Sequence, residues 1–282
     1  MIGDSTPPSK TRVEDPDMKN ILLLIHDDDG QESRLQAALD VTRAVNGHLF
    51  CLDVATVVPF IGDTTGVSGG AMMLEMECSA EALNRARLEP RLANEGVSWE
   101  WIDTMDYVEP ALENAATLAD LIVVNRALDS LPMPDMRQVA ASLVVNSGKP
   151  VLAVPDSAKG LNVGGAALIA WDGSREAADA LAAAVPLLRL AQSVTILEVD
   201  DGSVRVPAED AATYLSRNDV EPEIAREAGS SVAKIILAKA AIGRFDYIVM
   251  GGFGHSRTME ALFGGVTRRL LDDCPIPILI AY

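Results

Sequence analysis

The stretch NILLLIHDDDG, residues 20–30, decides the fold because a near copy, AALIAWDGS, occurs at residues 166–174. In both, a short apolar run ends in an acidic turn, which is typical of a buried strand that leads into a loop. Three more pairs follow in the same order, namely HLFCLDV with SVTILEV, DLIVVN with DYIVMG, and KPVLAV with PIPILIA. The chain is therefore an internal repeat of one supersecondary unit.

Segments of helical length and apolar spacing separate these runs, which indicates parallel strands joined by right-handed crossovers. The continuous Val, Ile and Leu runs favour strands that are buried on both faces. The sequence therefore predicts an α/β fold of two consecutive Rossmann-like sandwiches, each with a five-stranded parallel sheet. The predicted helices are residues 31–45, 79–94, 110–118, 174–190, 208–217, 230–241 and 259–271.

The repeat divides the chain into two domains. We expect a disordered tail at residues 1–18, a first domain at 19–156 and a second at 165–282. The Gly- and Met-rich segment 57–77 has no counterpart in the second copy, and we predict a mobile loop or lid that runs into a helix. Each copy ends in an apolar strand, so pairing of these two edges into an internal pseudo-dimer is expected.

Composition narrows the class of protein. A net charge of −18 disfavours binding to nucleic acid or to anionic membranes, and 49% hydrophobic residues are typical of a soluble globular protein. An odd number of cysteines and the absence of an apolar leader or span predict a cytoplasmic protein that is neither exported nor inserted into a membrane. The scattered histidines His26, His48 and His255 show no metal-ligand spacing.

Glycines follow the fourth strand of the second copy. Gly251 and Gly254 come directly after DYIVM, and Gly264 and Gly265 precede the last predicted strand. Glycine lets a backbone approach an anion closely, and the N–H groups and dipole at a helix N-terminus favour phosphate. On the glycines alone, a phosphate site and a plain turn followed by a helix start are both open.

The order Gly251, two residues, Gly254, nine residues, Gly264 resembles the nucleotide-binding motif of the universal stress protein family. Asp172 after the first strand, Glu198–Val199 at the end of the second, and CPIPILI near the C-terminus are similar to that family too. With two copies, the whole chain resembles a tandem member, which implies an adenine nucleotide alpha hydrolase-like fold in each half.

The resemblance implies that ATP or AMP, with or without Mg²⁺, binds in the second copy. Asp172 and Val199 would hold the ribose and adenine, and Ala170 would line the site from the first strand. The ribose and phosphates would be wrapped by Met250, Gly251, Gly254, Gly264, Gly265, Val266 and Thr267. Gly265 departs from the family, which has Ser or Thr there, so phosphate binding is weakened unless Thr267 supplies the hydroxyl.

The first copy lacks the glycines. The repeat places Asn125, Leu128 and Gln138 at the positions of Gly251, Gly254 and Gly264, and it aligns Asp27 with Asp172. We therefore expect one nucleotide per chain, in the second copy. Asp28 and Asp29 are interpreted as a solvated turn that caps the next helix.

A Mg²⁺ pocket like that of response-regulator receiver domains is the alternative for residues 27–29. It would need Asp103 as phosphoacceptor and Lys159 as its partner. The second copy has only Asp172 at the equivalent place, which disfavours this interpretation.

No nucleophile and base pair stands out, so the sequence does not indicate an enzyme beyond slow ATP hydrolysis. Two functions remain open. The favoured one is a cytoplasmic stress-response sensor or regulator that binds adenine nucleotide and acts on a regulatory protein partner. The other is a protein-interaction module with a vestigial nucleotide site. Homodimerisation of the whole chain also stays open.

Overall fold

The computed structural model describes residues 18–56, 67–126, 134–242, 244–252 and 265–282, with side chains from residue 72 onward in the second range. The strands are β1 (Asn20–Ile25), β2 (His48–Thr56), β3 (Ser98–Asp106), β4 (Leu121–Asn125), β5 (Val151–Val154), β6 (Ala166–Trp171), β7 (Ser193–Asp200), β8 (Glu223–Ala228), β9 (Tyr247–Gly251) and β10 (Ile278–Ala281). The helices are α1 (Gln31–Ala44), α2 (Val67–Leu92), α3 (Val108–Ala115), α4 (Met136–Ser147), α5 (Arg175–Leu188), α6 (Ala208–Ser216), α7 (Val232–Ala241) and α8 (Gly265–Asp273), with a 3₁₀ turn at Ala116–Leu118.

The strands form one sheet in the order β3-β2-β1-β4-β5-β10-β9-β6-β7-β8. Read inward from either edge, the order is third, second, first, fourth and fifth strand of that half. Neighbours are parallel except β5 and β10, which pair antiparallel with Leu152 opposite Leu279. The predicted α/β fold and the predicted pairing of the two final strands are confirmed, and the two five-stranded sheets are continuous with each other.

Both faces of the sheet are covered. Alternate residues of β1 point to opposite faces, so Leu23 packs with α1 and Leu22 packs on the side of α3 and α4. Each of the two apolar cores runs through both halves, because β5 and β10 contribute to both. Burial on both faces explains why the strands are unbroken apolar runs.

The segment between β5 and β6, residues 155–165, is anchored rather than loose. Leu161 and Val163 are buried, and the Leu161 N–H donates to the Asp40 carboxylate at 3.0 Å. The start of β6 is held by Asp246, which accepts from the Ala166 N–H at 2.7 Å. The connecting segment is thus tied to the first half through Asp40, and the strand that follows it is tied to the second half through Asp246.

Helix α2 differs from its prediction. It begins at Val67, so residues 67–77 are helical where a loop or lid was predicted, and residues 57–66 lie outside the described residues. The good helix formers from Ala71 onward outweigh Gly69 and Gly70. The predicted mobility of this segment stays a prediction.

Helix α4 was not among the predicted helices. Its ends nevertheless carry clear signals, because the Asp135 side chain accepts from the Arg137 N–H at 3.1 Å and Gly148 follows in a left-handed conformation with φ 63°. Among the described residues, no helix is both long and apolar enough to cross a bilayer.

Candidate functional site

A cavity of about 340 Å³ opens at the carboxyl ends of β6, β7 and β9. Because β6 lies between β7 and β9, this is the point where the strand order reverses, the usual ligand position in open α/β sheets. Its floor is apolar and consists of side chains from the three strands, Ala170, Leu197, Val199 and Met250. Val232 and Ile236 of α7 also line the cavity, so the side chains from the strands and from α7 form its apolar part.

The rim of the cavity is polar. Asp172, the first residue after β6, is exposed, and its Oδ1 accepts from the Ser174 N–H at 2.9 Å. Ser174 caps α5 by accepting from the Ala177 N–H at 3.1 Å. Asp201, Ser203 and Arg205 reach the rim from the loop after β7. An apolar base with a few oriented polar groups is the usual composition of a small-molecule site.

Gly251, the last residue of β9, has a steric reason to be glycine. A Cβ at this position would lie 2.4 Å from the Ala177 nitrogen and 2.4 Å from the Glu176 carbonyl carbon. The first turn of α5 therefore packs directly on the end of β9. The sequence predicted close approach of an anion here, whereas the contact among the described residues is the α5 backbone, whose N-terminal end is thereby brought to the cavity.

Seven of the predicted site residues line this one cavity: Ala170, Asp172, Val199, Met250, Gly251, Val266 and Thr267. Gly265 is the first residue of α8, and no described atom lies within 4 Å of a Cβ added there. Gly254 and Gly264 lie outside the described residues, so their role stays a prediction.

Thr267, which the resemblance offers as a hydroxyl donor to phosphate, and the two arginines that follow it lie in different environments. Thr267 is only 6% exposed, although it lines the cavity. Arg269 pairs with Asp273 at 2.5 Å, and Arg268 lies 4.0 Å from Asp272, each one turn further along α8. The two arginines are therefore surface ion pairs of this helix.

Sequence reasoning missed several lining residues. Leu197 carried a usable signal, because it lies two residues before Val199 and so on the same face of β7. Ser174 also carried one, as a helix N-cap directly after the strand. The other missed residues are Trp171, Glu176, Ala177, Asp201, Ser203, Arg205, Val232, Ile236 and Gly252.

The first half differs at the equivalent place. β1 and β6 both have six residues, so His26 and not Asp27 is the structural equivalent of Asp172. The alignment of Asp27 with Asp172 was therefore wrong by one residue, because the turn before α1 has five residues (26–30) against three (172–174) before α5. Asp27 is exposed and pairs with Arg87 at 2.6 Å.

Arg34 fills the region between β1 and β4. Its guanidinium is fully buried and donates to the Leu24 and His26 carbonyls at 2.7 Å, to both Asp28 carboxylate oxygens at 2.7 Å, and to Asn125 Oδ1 at 2.6 Å. The prediction of a solvated Asp28 that caps α1 is wrong. Asp28 is the buried counter-ion of Arg34, and it accepts from the Gly30 N–H at 2.7 Å rather than from the helix.

Comparisons with known proteins agree with this architecture. Residues 166–281 match the model of the Universal stress protein family. The crystal structure of a universal stress protein from Archaeoglobus fulgidus is similar to this chain, with 17% sequence identity and a TM-score of 0.67. The aligned region covers 94% of this chain and 96% of that chain. A functionally unknown protein from Pseudomonas aeruginosa has 18% sequence identity to this chain and a TM-score of 0.62. Here the aligned region covers 94% of this chain and 93% of that chain. At these identities the likeness shows the fold. Comparison with curated proteins gave no match.

Proposed function

We propose that this chain, whose residues 166–281 belong to the universal stress protein family, binds an adenine nucleotide in the cavity of its second half. The observation that carries the proposal is the apolar base of Ala170, Leu197, Val199 and Met250 beside the Asp172 carboxylate. A purine is flat and apolar on its faces, and a ribose offers hydroxyl donors to a carboxylate. The cavity volume lies in the range of about 300–1,000 Å³ that small-molecule sites occupy.

The charges around the cavity favour a small phosphate group. Glu176 and Asp201 line it together with Asp172, while Arg205 contributes a positive charge. Gly265 supplies no hydroxyl, and Thr267 is buried. We therefore expect AMP to bind at least as tightly as ATP in the absence of Mg²⁺, and Mg²⁺ to improve ATP binding by neutralising part of its charge.

Family membership supports a role in the stress response. We propose that the chain acts in the cytoplasm as a nucleotide-dependent sensor or regulator of a protein partner. The described residues that line the cavity include neither a histidine nor a cysteine. At most, slow ATP hydrolysis is expected.

A protein-interaction module is the second candidate, and α2 supports it. Met72, Met76 and Leu83 lie on one side of this helix at 64%, 64% and 74% exposure, and Met73 adjoins them. Methionine-rich apolar surfaces adapt to different partners. If the chain is such a module, the cavity holds no ligand in solution.

Calorimetric titration of the purified chain with AMP, ADP and ATP tests the proposal. We expect one site per chain, with Asp172→Asn weakening binding about ten- to a hundredfold through loss of a hydrogen bond to a charged group. Asp27→Asn, in the turn of the first half, is the matched control and should leave affinity unchanged. Absence of binding to wild type, or equal loss in both variants, would refute a site at Asp172. Chromatography of small molecules released on denaturation is the independent check.

A further inference from the structure

Three metal-ligating side chains converge at the end of β1 in the first half. His26 follows β1, and Glu77 and Glu81 lie one turn apart on α2. His26 Nδ1 lies 2.6 Å from Glu81 Oε1 and 3.8 Å from Glu77 Oε1, and the three donor atoms all lie within 4.8 Å of one another. His26 and Glu81 are buried, with 9% and 6% side-chain exposure.

Three buried polar atoms in and beside this cluster have no hydrogen bond of good geometry among the described residues. Within the part of the chain that the structure describes, His26 Nδ1, Glu77 Oε1 and Asp53 Oδ1 are buried and make no hydrogen bond of acceptable geometry. His26 and Glu81 nevertheless lie at ion-pair distance, so a bound cation would replace this contact. Asp53, only 4% exposed, lines a cavity together with Glu81. Buried polar atoms without partners are costly, and an unfilled ion site is one explanation for them.

The carboxylate at the equivalent place in the second half has different partners. Glu198 of β7 is the structural equivalent of Asp53, since each pairs with the last residue of its first strand. Glu198 is neutralised by Arg226 of β8 at 2.9 Å and caps α6 by accepting from the Ala208 N–H at 2.8 Å. At the register position of Arg226 the first half has Asp103, which is itself paired with Arg85. Asp53 therefore has an acid on β3 where Glu198 has an arginine on β8.

The charged side chains around the cluster agree with this deficit. The nearby arginines are engaged elsewhere, Arg34 with Asp28 and Arg87 with Asp27 and Asn84. Arg85, which lines the same cavity as Asp53 and Glu81, pairs with Glu89 and Asp103.

We propose that His26, Glu77 and Glu81, with Asp53 beside them, form a binding site for a divalent transition-metal cation, Zn²⁺ by its donor chemistry. Imidazole nitrogen and carboxylate oxygen are common Zn²⁺ ligands, whereas Mg²⁺ prefers oxygen alone. Ligands of a tetrahedral Zn²⁺ at about 2.1 Å lie about 3.4 Å apart, so the ion fits the spacing of His26 to Glu77. It would also move His26 and Glu81 apart by less than 1 Å and so replace their ion pair.

The ion would join two separate elements. His26 is in the turn after β1, while both glutamates lie on α2, so coordination ties this helix to the end of the sheet. The site lies at the position in the first half that corresponds to Asp172 and Glu198 in the second, and it does not depend on nucleotide binding there.

Zn²⁺ titration of the chelator-treated full chain, followed by calorimetry and by thermal unfolding, tests the site. We expect one Zn²⁺ per chain and a raised unfolding temperature. His26→Ala and Glu81→Gln should each weaken binding at least tenfold and abolish the thermal shift. Glu77→Gln, at a partly exposed side chain, should weaken binding too and serves if the buried variants do not fold.

Two matched controls separate the site from adventitious binding. His48→Ala removes a histidine at the opposite end of the sheet, and Glu75→Gln removes an exposed carboxylate from the same helix. Both variants should bind Zn²⁺ like wild type. No stoichiometric binding by wild type, equal loss in the controls, full binding by His26→Ala or Glu77→Gln, or Mg²⁺ binding as tight as that of Zn²⁺ would each overturn the proposal.

Discussion

The two halves share one topology but differ at the last residue of the fourth strand, Gly251 in β9 and Asn125 in β4. Without a side chain at 251, the first turn of α5 packs onto the strand and leaves a cavity beside it. Asn125 has a side chain, and its amide lies within 3.0–3.4 Å of Gly30, Ser33, Val154 and Asp156 acceptors. The longer turn before α1 makes room for this amide and for Arg34.

The comparison shows that equivalent positions at the ends of β4 and β9 have different roles in the two halves. In the second half, the space at the switch point stays open between apolar walls. In the first half, the end of β4 is instead occupied by Asn125 and by the fully buried and fully hydrogen-bonded guanidinium of Arg34, and titratable side chains gather next to it. Substitutions at these places should therefore have different effects on stability and binding in the two halves.

Arg34→Met should have the largest effect. It leaves the Asp28 carboxylate and Asn125 buried without their partner, and breaking a buried pair costs about 3–5 kcal/mol of unfolding free energy. Denaturant unfolding measures this loss. Arg43→Met is the control, because Arg43 forms only surface pairs with Asp40 and Glu95, worth about 0–1 kcal/mol. Equal losses in the two variants would contradict a special role for the Arg34 network.

Gly251→Ala should have the second largest effect on stability. The added Cβ meets the α5 backbone at 2.4 Å, so we expect about 1–3 kcal/mol of destabilisation from overpacking. Weaker AMP binding should accompany it, because α5 must move from the cavity edge. Gly265→Ala, where no described atom lies within 4 Å of the new Cβ, should leave stability nearly unchanged. Thermal unfolding of the two variants compares them directly, and a smaller effect at 251 than at 265 would refute the packing argument.

Glu198→Gln should have a smaller effect, about 1 kcal/mol, because it weakens the cap of α6 and one charge-assisted bond to Arg226. Glu209→Gln removes only the exposed contact to the same arginine, and we expect little change. Chemical denaturation distinguishes them. A larger loss from Glu209→Gln would mean that the exposed contact stabilises α6 more than the buried one.

Much of the architecture follows from local sequence. Unbroken apolar runs such as LLLI of β1 identify strands buried on both faces, and their order predicts the doubly wound arrangement. Asp172 and Val199 were predictable as cavity residues, because the carboxyl ends of parallel strands meet at one edge. The early start of α2 and the existence of α4 were missed, since glycines at 69 and 70 suggested a loop and the cap signals at Asp135 and Gly148 were not combined.

By itself, the sequence determined the repeat, the strands and the edge of the second-half sheet at which a ligand is expected. These features depend on periodicity and on residues close together in the chain. Only the tertiary structure decided which distant side chains meet. His26 and Glu81 come together because α2 folds back over the end of β1, and Arg34 is buried because Asn125 arrives from β4. Such contacts depend on the register and packing of remote elements, which no local spacing encodes, and they turn scattered histidines and acids into a candidate site.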